Sequence, residues 1–243
     1  MKIAISFVGT GKYLNYLPDW YVAIKDNFIP DIEKIFLVFT DGDADWPDDV
    51  VKIDSEHYGW PKTFHHTFEN LLKAEQYVQD CDWFVSIDAD MKPTSKISYH
   101  EFFDDTKNYF GVHHPCHFLG MNPHDKFPGA FDNNPKSKAC VTEDMDTSVY
   151  YQGCLWGGKI PQVFDMMREL DSWTQEDLSR DSSPIWYEES YFNKFFILNK
   201  ESTHTLGPEF AYPELYSDYC NFNPKIIHLA KDNSKYHKSV SYT

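Results

Sequence analysis

Residues 84–93 read FVSIDADMKP, and this stretch joins an apolar run to two aspartates. The run at residues 83–87 contains aromatic and β-branched side chains, which is typical of a buried strand. Asp88 and Asp90 follow it, and in extended backbone the side chains at positions i and i+2 point the same way. Two like charges on one face repel each other. The pair therefore indicates a site for a positive charge.

The segments around this strand predict an α/β fold. Strands are expected at residues 3–8 and 35–40, and helices at about 15–28 and 63–78. Strand, helix, strand, helix, strand is the pattern of a parallel sheet with crossover helices. Ligands bind at the carboxyl ends of the strands in such a sheet, which is where the two aspartates lie.

The remainder of the chain continues the same domain. Dense Pro, Asn, His and Asp at residues 113–146 indicate long loops over short strands, and helices are expected at about 161–178 and 188–198. The tail from residue 225 is rich in lysine and histidine. No repeat, low-complexity segment or clear linker interrupts the sequence, so a single domain over residues 1–243 is expected.

The composition excludes several classes of partner. The 243 residues include 38 Asp and Glu against 22 Lys and Arg, a net charge of −16, so nucleic acid and anionic membranes are not expected partners. No apolar run approaches the roughly 20 residues of a membrane span, and the N-terminus does not read as a signal peptide. The five scattered cysteines indicate reduced thiols and a cytoplasmic protein.

A divalent cation is the expected partner of Asp88 and Asp90. Carboxylate oxygens suit Mg²⁺ or Mn²⁺, which usually also bind substrate phosphates, so a phosphate-containing substrate is implied. A phosphohydrolase of the D-x-D-x-T/V type is a less favoured alternative. In that class the first aspartate usually follows the first strand, whereas here the motif follows a later strand and continues with Met91 and Lys92.

Two further clusters leave alternatives open. His113, His114, Cys116 and His117 could hold zinc, but adjacent histidines point apart and no second ligand pair has structural-zinc spacing, so a binding loop or polar surface is favoured. Residues 186–190, WYEES, open a predicted helix with two acids. These acids either stabilise the helix start or present a carboxylate to a reacting centre beside an aromatic wall, and the residues favour neither reading.

Five segments occur together in the order and approximate spacing of a known family. They are VFTD at residues 38–41, SIDADM at 86–91, FGVHHP at 110–115, YYQGCLWGG at 150–158 and IWYEESYFNKFF at 185–196. With these segments the chain resembles the retaining glycosyltransferases of family six, which include the histo-blood-group ABO transferases and α1,3-galactosyltransferase. The resemblance implies a GT-A fold, a UDP-sugar donor, and transfer with retention to a glycan acceptor with terminal galactose.

The resemblance also implies roles for single residues. Asp88 and Asp90 match the metal-binding motif, with Mn²⁺ expected and Mg²⁺ as the alternative, and Glu189 matches the catalytic glutamate. His114 and Trp186 match acceptor-binding positions. The donor- and nucleotide-binding positions match Phe7, Val8, Gly9, Tyr13, Asp88, Ala89, Gln152, Gly153, Cys154, Glu188, Lys231, His237 and Lys238.

The reaction implied by the resemblance moves galactose or N-acetylgalactosamine onto the acceptor in α1,3 linkage. Residues 1–92 would form the nucleotide-sugar half and residues 93–224 the acceptor and catalytic half. The basic tail at 225–243 is expected to be mobile and to close over the diphosphate. Double displacement through Glu189 and front-side attack both stay open. A sugar-binding protein of the same fold is the alternative, and the intact acids argue against it.

The chain departs from the family at several positions. Relatives usually carry an arginine on the helix before the D-x-D, and near that position this chain has His65, His66 or Thr67. Near the position of an acceptor-binding aspartate in relatives, this chain has Pro213. Short bacterial relatives commonly carry Asn-x-Asn and need no metal, whereas this chain keeps both aspartates. Cys154 is larger than the Gly or Ala that relatives carry at this donor-selecting position, so UDP-galactose is expected to be preferred over the acetamido sugar.

Overall fold

The chain builds a central sheet with helices on both faces. A computed structural model of the protein describes residues 1–121 and 131–232. Its strands are β1 (Lys2–Val8), β2 (Glu33–Thr40), β3 (Val50–Asp54), β4 (Trp83–Ile87), β5 (Met91–Pro93), β6 (Tyr109–His113), β7 (Tyr151–Lys159), β8 (Thr203–Leu206), β9 (Tyr212–Pro213) and β10 (Ile226–His228). Its α-helices are α1 (Leu17–Asn27), α2 (Lys62–His65), α3 (Thr67–Leu72), α4 (Tyr99–Phe102), α5 (Pro115–Phe118), α6 (Gln162–Leu178) and α7 (Tyr187–Leu198). Short 3₁₀ helices lie at Gly11–Tyr16, Glu75–Tyr77, Lys200–Ser202, Pro208–Ala211 and Glu214–Tyr219.

The large sheet is mostly parallel and has the strand order β3-β2-β1-β4-β7-β6-β8. The first four strands run parallel to one another, and β6 runs parallel to β8. β7 is antiparallel to both of its neighbours. The predicted α/β sheet with strands at residues 3–8, 35–40 and 83–87 is confirmed, while β3 and the antiparallel β7 were not predicted.

Alternation of side chains along the central strands builds a core on each face of the sheet. On β1, the side chains of Ile3, Ile5 and Phe7 are fully buried on the face where Trp20 and Ile24 of α1 pack. Apolar residues of α3, α6 and α7 cover the opposite face. Because both faces are buried, the central strands read as continuous apolar runs.

The single helix predicted over residues 63–78 is wrong, whereas α6 and α7 match their predicted ranges closely. The chain forms α2 and α3 with a break at His66, whose φ of −107° and ψ of 8° are not helical. At the break the His66 ring stacks on that of Tyr58, with the ring centroids 3.9 Å apart. No helix in residues 1–121 and 131–232 is long and apolar enough to cross a membrane.

A second, three-stranded sheet brings the C-terminal region beside the D-x-D motif. β10 pairs antiparallel with β5, which directly follows the motif, and parallel with β9. The backbone N–H of Leu229 donates a hydrogen bond to the carbonyl of Asp90 at 2.9 Å. The first part of the predicted basic tail is therefore a strand next to the two aspartates. His237 and Lys238, which were predicted to bind the donor, lie outside the described residues.

Candidate active site

A cavity of about 730 Å³ opens at the carboxyl ends of β1 and β4. The loop after β1, the segment from about residue 57 to residue 71, and the start of α7 supply its walls. This is the edge at which an open α/β sheet binds its ligands. Tyr13, Tyr58 and Trp60 give the cavity flat aromatic surfaces, which suit a base or a sugar ring.

Most of the residues predicted to bind the donor line this cavity. They are Val8, Tyr13, Asp88, Ala89, Gly153, Glu188 and Lys231. Phe7 is fully buried and its ring packs 5.0 Å from that of Trp20, so only its backbone is left to contact a ligand. A Cβ atom at Gly9 would lie 2.2 Å from the Phe7 ring, so any larger residue would displace that buried ring. Gln152 and Cys154 do not line the cavity.

Asp88 and Asp90 lie in the turn that follows β4, and their environments differ. Asp88 is exposed and lines the cavity, whereas Asp90 is 2% exposed. Asp90 accepts a hydrogen bond from Lys231 Nζ at 2.6 Å, and its carboxylate lies 3.4 Å from His228 Nε2. Burial opposes the charge of Asp90, but His228 and Lys231 outweigh burial and hold its pKa well below the ordinary value. Desolvation by the surrounding protein and the charge of Asp90 raise the pKa of Asp88 to about 6.

His228 was not among the predicted site residues. Its Nδ1 lies 3.2 Å from Gln152 Nε2, on the side of the ring away from Asp90. Burial lowers the pKa of His228, but the hydrogen bond and charge of Asp90 outweigh that effect and raise it above the ordinary value. In the sequence this histidine was visible only as part of a basic tail. The register of β10 against β5 brings it to the motif.

The carboxylate pair fits the predicted divalent cation. The oxygens of Asp88 and Asp90 are the hard donors that Mn²⁺ and Mg²⁺ prefer, and the Lys231 ammonium already places a positive charge against Asp90. Among the described residues, no three His, Cys, Asp or Glu side chains are arranged as they stand to hold a metal ion, and this includes the cluster at residues 113–117. Two carboxylates completed by substrate phosphate oxygens and water are the usual arrangement for Mg²⁺.

The carboxylate of Glu189 is held at both of its oxygens. Oε1 accepts a hydrogen bond from the Tyr150 hydroxyl at 2.8 Å, and Oε2 accepts one from the Gly153 N–H at 2.8 Å. Burial raises the pKa of Glu189 to about 7, and these two hydrogen bonds oppose the rise. Both carboxylate oxygens of this acid in the first turn of α7 are therefore bound within the protein.

The neighbouring Glu188 lines the cavity and offers an unused acceptor. Its Oε2 atom is buried and has no hydrogen-bond partner in the part of the chain that the structure describes. Burial raises the pKa of this carboxyl well above its ordinary value. A hydroxyl group of a ligand would satisfy this atom, because a buried carboxyl oxygen without a partner is costly.

The predicted acceptor residues, His114 and Trp186, do not line the cavity. His114 Nδ1 accepts a hydrogen bond from the Cys116 N–H at 3.1 Å, and its ring centroid lies 5.8 Å from that of Tyr150. Tyr150 therefore contacts both His114 and Glu189, although the sequence reasoning did not single it out. Trp186 directly precedes α7, two residues before the pair of acids.

The positions that depart from the family pattern lie close to the site. Thr67 lines the cavity, whereas His65 lies 3.3 Å from the Ser183 hydroxyl. Pro213 on β9 is the strand partner of His228. Thr67 is therefore part of the cavity wall, and Pro213 lies beside the strand that carries His228.

The fold and the site together define a class of protein. A mostly parallel sheet with a D-x-D turn and a cavity at its carboxyl edge is the architecture of a glycosyltransferase with a GT-A-like fold. The sequence model of Glycosyltransferase family 6 matches residues 1–238, and the chain belongs to that family. The resemblance found in the five sequence segments is thereby confirmed.

Three relatives illustrate the similarity. O-antigen biosynthesis glycosyltransferase WbnI of Escherichia coli is 26% identical over 243 residues, which cover 99% of each chain. Histo-blood group ABO system transferase 1 of Rattus norvegicus is 23% identical over 238 residues, covering 94% of this chain and 66% of the relative. Globoside alpha-1,3-N-acetylgalactosaminyltransferase 1 of Homo sapiens is 23% identical over 225 residues, covering 88% of this chain and 62% of the relative. The chain thus spans slightly under two thirds of the length of these two animal proteins.

Proposed function

We propose that this protein is a hexosyltransferase that moves galactose or N-acetylgalactosamine from a UDP-sugar to a glycan with terminal galactose. The linkage is α1,3, the anomeric configuration is retained and the reaction depends on Mn²⁺. Membership of family 6 supports a nucleotide-sugar donor and a glycan acceptor, and one relative's name contains both the α1,3 linkage and the acetamido sugar. The observation that carries the proposal is the doubly hydrogen-bonded carboxylate of Glu189 beside a cavity that contains the acid pair.

The donor is proposed to lie in the cavity with its uridine over the loop after β1. Val8 and Tyr13 line that end of the cavity, and the Tyr13 ring offers a flat surface to the base. The diphosphate would then lie toward Asp88, Asp90 and Lys231. Mn²⁺ held by the two aspartates supplies, when bound, positive charge that offsets the charge on the departing UDP. The Lys231 ammonium, which now contacts Asp90, provides a second positive charge at the same place.

Glu189 is proposed to stabilise the reacting sugar. The anomeric carbon becomes positively charged as its bond to UDP breaks, and an ionised carboxylate next to it lowers the free energy of that state. Hydrogen bonds from Tyr150 and Gly153 favour the ionised form of this carboxylate and fix its position, in opposition to the effect of burial. Attack by Glu189 to form a covalent intermediate and front-side attack by the acceptor both use a carboxylate in this role, and both retain configuration.

The donor sugar is proposed to be galactose in preference to N-acetylgalactosamine. Cys154 is 3% exposed and follows Gly153, which lines the cavity. A side chain larger than that of Gly or Ala at this position would crowd an acetamido group, at a cost of roughly 1–3 kcal/mol. A hydrogen bond from the Gln152 amide to the acetamido carbonyl would instead favour N-acetylgalactosamine as the donor sugar. Comparing the two donors in the Cys154→Gly variant separates these effects.

A sugar-binding protein of the same fold is the competing function. The intact D-x-D, the held Glu189 carboxylate and the lysine beside the acid pair are more than sugar binding requires. The match to a glycosyltransferase family does not support a phosphohydrolase. Catalytic transfer is therefore the better supported function.

Release of UDP from UDP-galactose and UDP-N-acetylgalactosamine, with Mn²⁺ and a galactose-terminated acceptor, tests the proposal. The wild type should release UDP in an acceptor-dependent manner, and Glu189→Gln should release almost none while still binding UDP. Glu169→Gln, at an exposed position of α6, is the matched control and should behave as wild type. UDP release that is equally fast in Glu189→Gln would overturn the role of Glu189, and binding without transfer would favour the sugar-binding protein.

A further inference from the structure

β10 places an imidazole beside the acid pair, and this imidazole has no role in the function proposed so far. We propose that His228 is a third protein ligand of the divalent cation, together with Asp88 and Asp90, and that Gln152 orients its ring for this purpose. The inference rests on the proposed Mn²⁺-dependent transfer, since it concerns the same cation. A measurement of metal binding tests it without any assay of sugar transfer.

The spacing of the donor atoms suits a shared cation. His228 Nε2 lies 3.4 Å from Asp90 Oδ2. Two ligand atoms about 2.1 Å from one ion lie roughly 3 Å apart when they meet it at a right angle. Only small side-chain movements would therefore bring both atoms to one cation. The backbone at His228 is fixed beside the motif, because β10 is paired on both sides and the Leu229 N–H donates to the Asp90 carbonyl.

Gln152 supplies an independent observation. Its Nε2 faces His228 Nδ1 at 3.2 Å, and its Oε1 is buried without a hydrogen-bond partner among the described residues. In this arrangement the amide donates to Nδ1, so the ring proton is on Nε2 and points toward Asp90. Half a turn of the amide exchanges its two ends. Oε1 then accepts a proton carried on Nδ1, and the lone pair of Nε2 is free for a cation.

The rotated arrangement is the usual one for histidine ligands. A histidine that binds a metal through one nitrogen almost always donates its other N–H to an oxygen acceptor, which fixes both tautomer and ring orientation. The rotation pairs the Oε1 atom of Gln152 with the ring N–H, and Nε2 takes the buried place that Oε1 leaves. The orientation of the Gln152 amide thus sets the tautomer of His228, and the rotated orientation leaves Nε2 free for a cation.

The charges around Asp90 agree with an exchange of cations. Asp90 is 2% exposed and now has the Lys231 ammonium at 2.6 Å from Oδ2. A divalent ion bound at the same oxygen would replace that positive charge. Lys231 would then be available to the diphosphate, as the proposed function requires. The contacts of Asp90 with Lys231 and His228 thus compensate the charge of a buried carboxylate.

Mn²⁺ binding to the full chain tests the inference directly. Free Mn²⁺ is measured by electron paramagnetic resonance with and without UDP, and electron spin echo envelope modulation reports nitrogen bound to Mn²⁺. Wild type should show coupling to one histidine nitrogen, and the coupling should change when the protein is labelled with ¹⁵N-histidine. His228→Phe should lose the coupling and bind Mn²⁺ at least about tenfold more weakly, and Gln152→Leu should bind about tenfold more weakly with the coupling retained. His100→Phe, at an exposed position of α4, should match wild type.

Each outcome separates this inference from the proposed function. Bound Mn²⁺ without histidine nitrogen coupling in wild type, a result that needs no variant, overturns the inference. Equal Mn²⁺ affinity in His228→Phe and wild type also overturns it. If wild type transfers sugar in EDTA and binds no Mn²⁺, this inference and the metal dependence fail while sugar transfer stands. Histidine-ligated Mn²⁺ without transfer from any UDP-sugar supports the inference and overturns the proposed function.

Discussion

Replacing Tyr150 by phenylalanine should shift the pH dependence of the enzyme while leaving its maximum rate nearly intact. The Tyr150 hydroxyl donates a hydrogen bond of 2.8 Å to Glu189 Oε1, and Tyr150 is 1% exposed. Burial and the Glu189 charge raise the pKa of Tyr150, so it remains a hydrogen-bond donor throughout the range studied. Of the two hydrogen bonds that the described residues donate to the Glu189 carboxylate, that from the Gly153 N–H then remains.

The size and direction of the shift follow from this one hydrogen bond. A hydrogen bond to a charged group contributes about 1.5–3 kcal/mol, and one pH unit corresponds to about 1.4 kcal/mol. The protonated carboxyl keeps part of the bond, so a displacement of about one pH unit is expected. The hydrogen bond lowers the pKa of Glu189, which is about 7 with the bond present. Its loss raises that pKa, and the acidic limb of activity therefore moves to higher pH.

The assay is kcat/KM for sugar transfer between about pH 5.5 and 9.5, at saturating Mn²⁺ so that Asp88 stays ionised. Tyr150→Phe should be about tenfold slower than wild type on the acidic limb and within about threefold of it on the alkaline plateau. Tyr151→Phe is the matched control, because Tyr151 is also buried but its hydroxyl pairs with Thr205 at 2.8 Å. An unmoved acidic limb in Tyr150→Phe, or an equal loss of rate at every pH, would refute the reasoning.

Three further predictions address the metal, the donor sugar and the tail. EDTA should abolish activity and Mn²⁺ should restore it, and Asp90→Asn should lower kcat at least about 10²-fold; full activity in EDTA contradicts the metal assignment. Cys154→Gly should shift the ratio of kcat/KM for the two donors toward UDP-N-acetylgalactosamine by about 10- to 100-fold, and a ratio equal to that of wild type removes Cys154 as the selecting residue. Proteolysis after about Lys231 should slow when UDP and Mn²⁺ are saturating, because the tail is expected to close over the diphosphate, and cleavage at an unchanged rate speaks against that closure.

Local patterns predicted the parts of the fold that follow a regular period. β1, β2 and β4 are buried apolar runs, and α6 and α7 carry an apolar face, so each is visible without knowledge of its neighbours. β7 was not predicted because its glycines interrupt the apolar pattern of a strand. These glycines are required by close contacts with neighbouring strands. A Cβ atom at Gly157 would lie 2.1 Å from the Phe84 carbonyl oxygen, which no sequence period reports. The break at His66 was not visible either, because the apolar residues Phe64 and Phe68 on its two sides keep the helical spacing.

Much of the candidate site was also readable, but its supports were not. The D-x-D motif and the WYEES segment each place their acids within a few residues of one another. The resemblance added further positions, of which Val8, Tyr13, Gly153 and Lys231 line the cavity, whereas Gln152, Cys154, His114 and Trp186 do not. Tyr150 escaped notice because its partner Glu189 lies 39 residues further along the chain. His228 escaped because only the pairing of β10 with β5 brings it to Asp90. Such supports depend on register and packing, whereas the motif residues depend on local sequence.

The most direct test of the central claim is the anomeric configuration of the product. UDP-galactose, Mn²⁺ and a galactose-terminated acceptor are incubated with the wild-type protein, and the purified glycan is examined by proton nuclear magnetic resonance. Retaining transfer predicts a new α-linked sugar, recognised by the small coupling of its anomeric proton, with its linkage at position 3 of the acceptor galactose. A β-linked product would contradict retention, and unchanged acceptor with every UDP-sugar offered would contradict transferase activity itself.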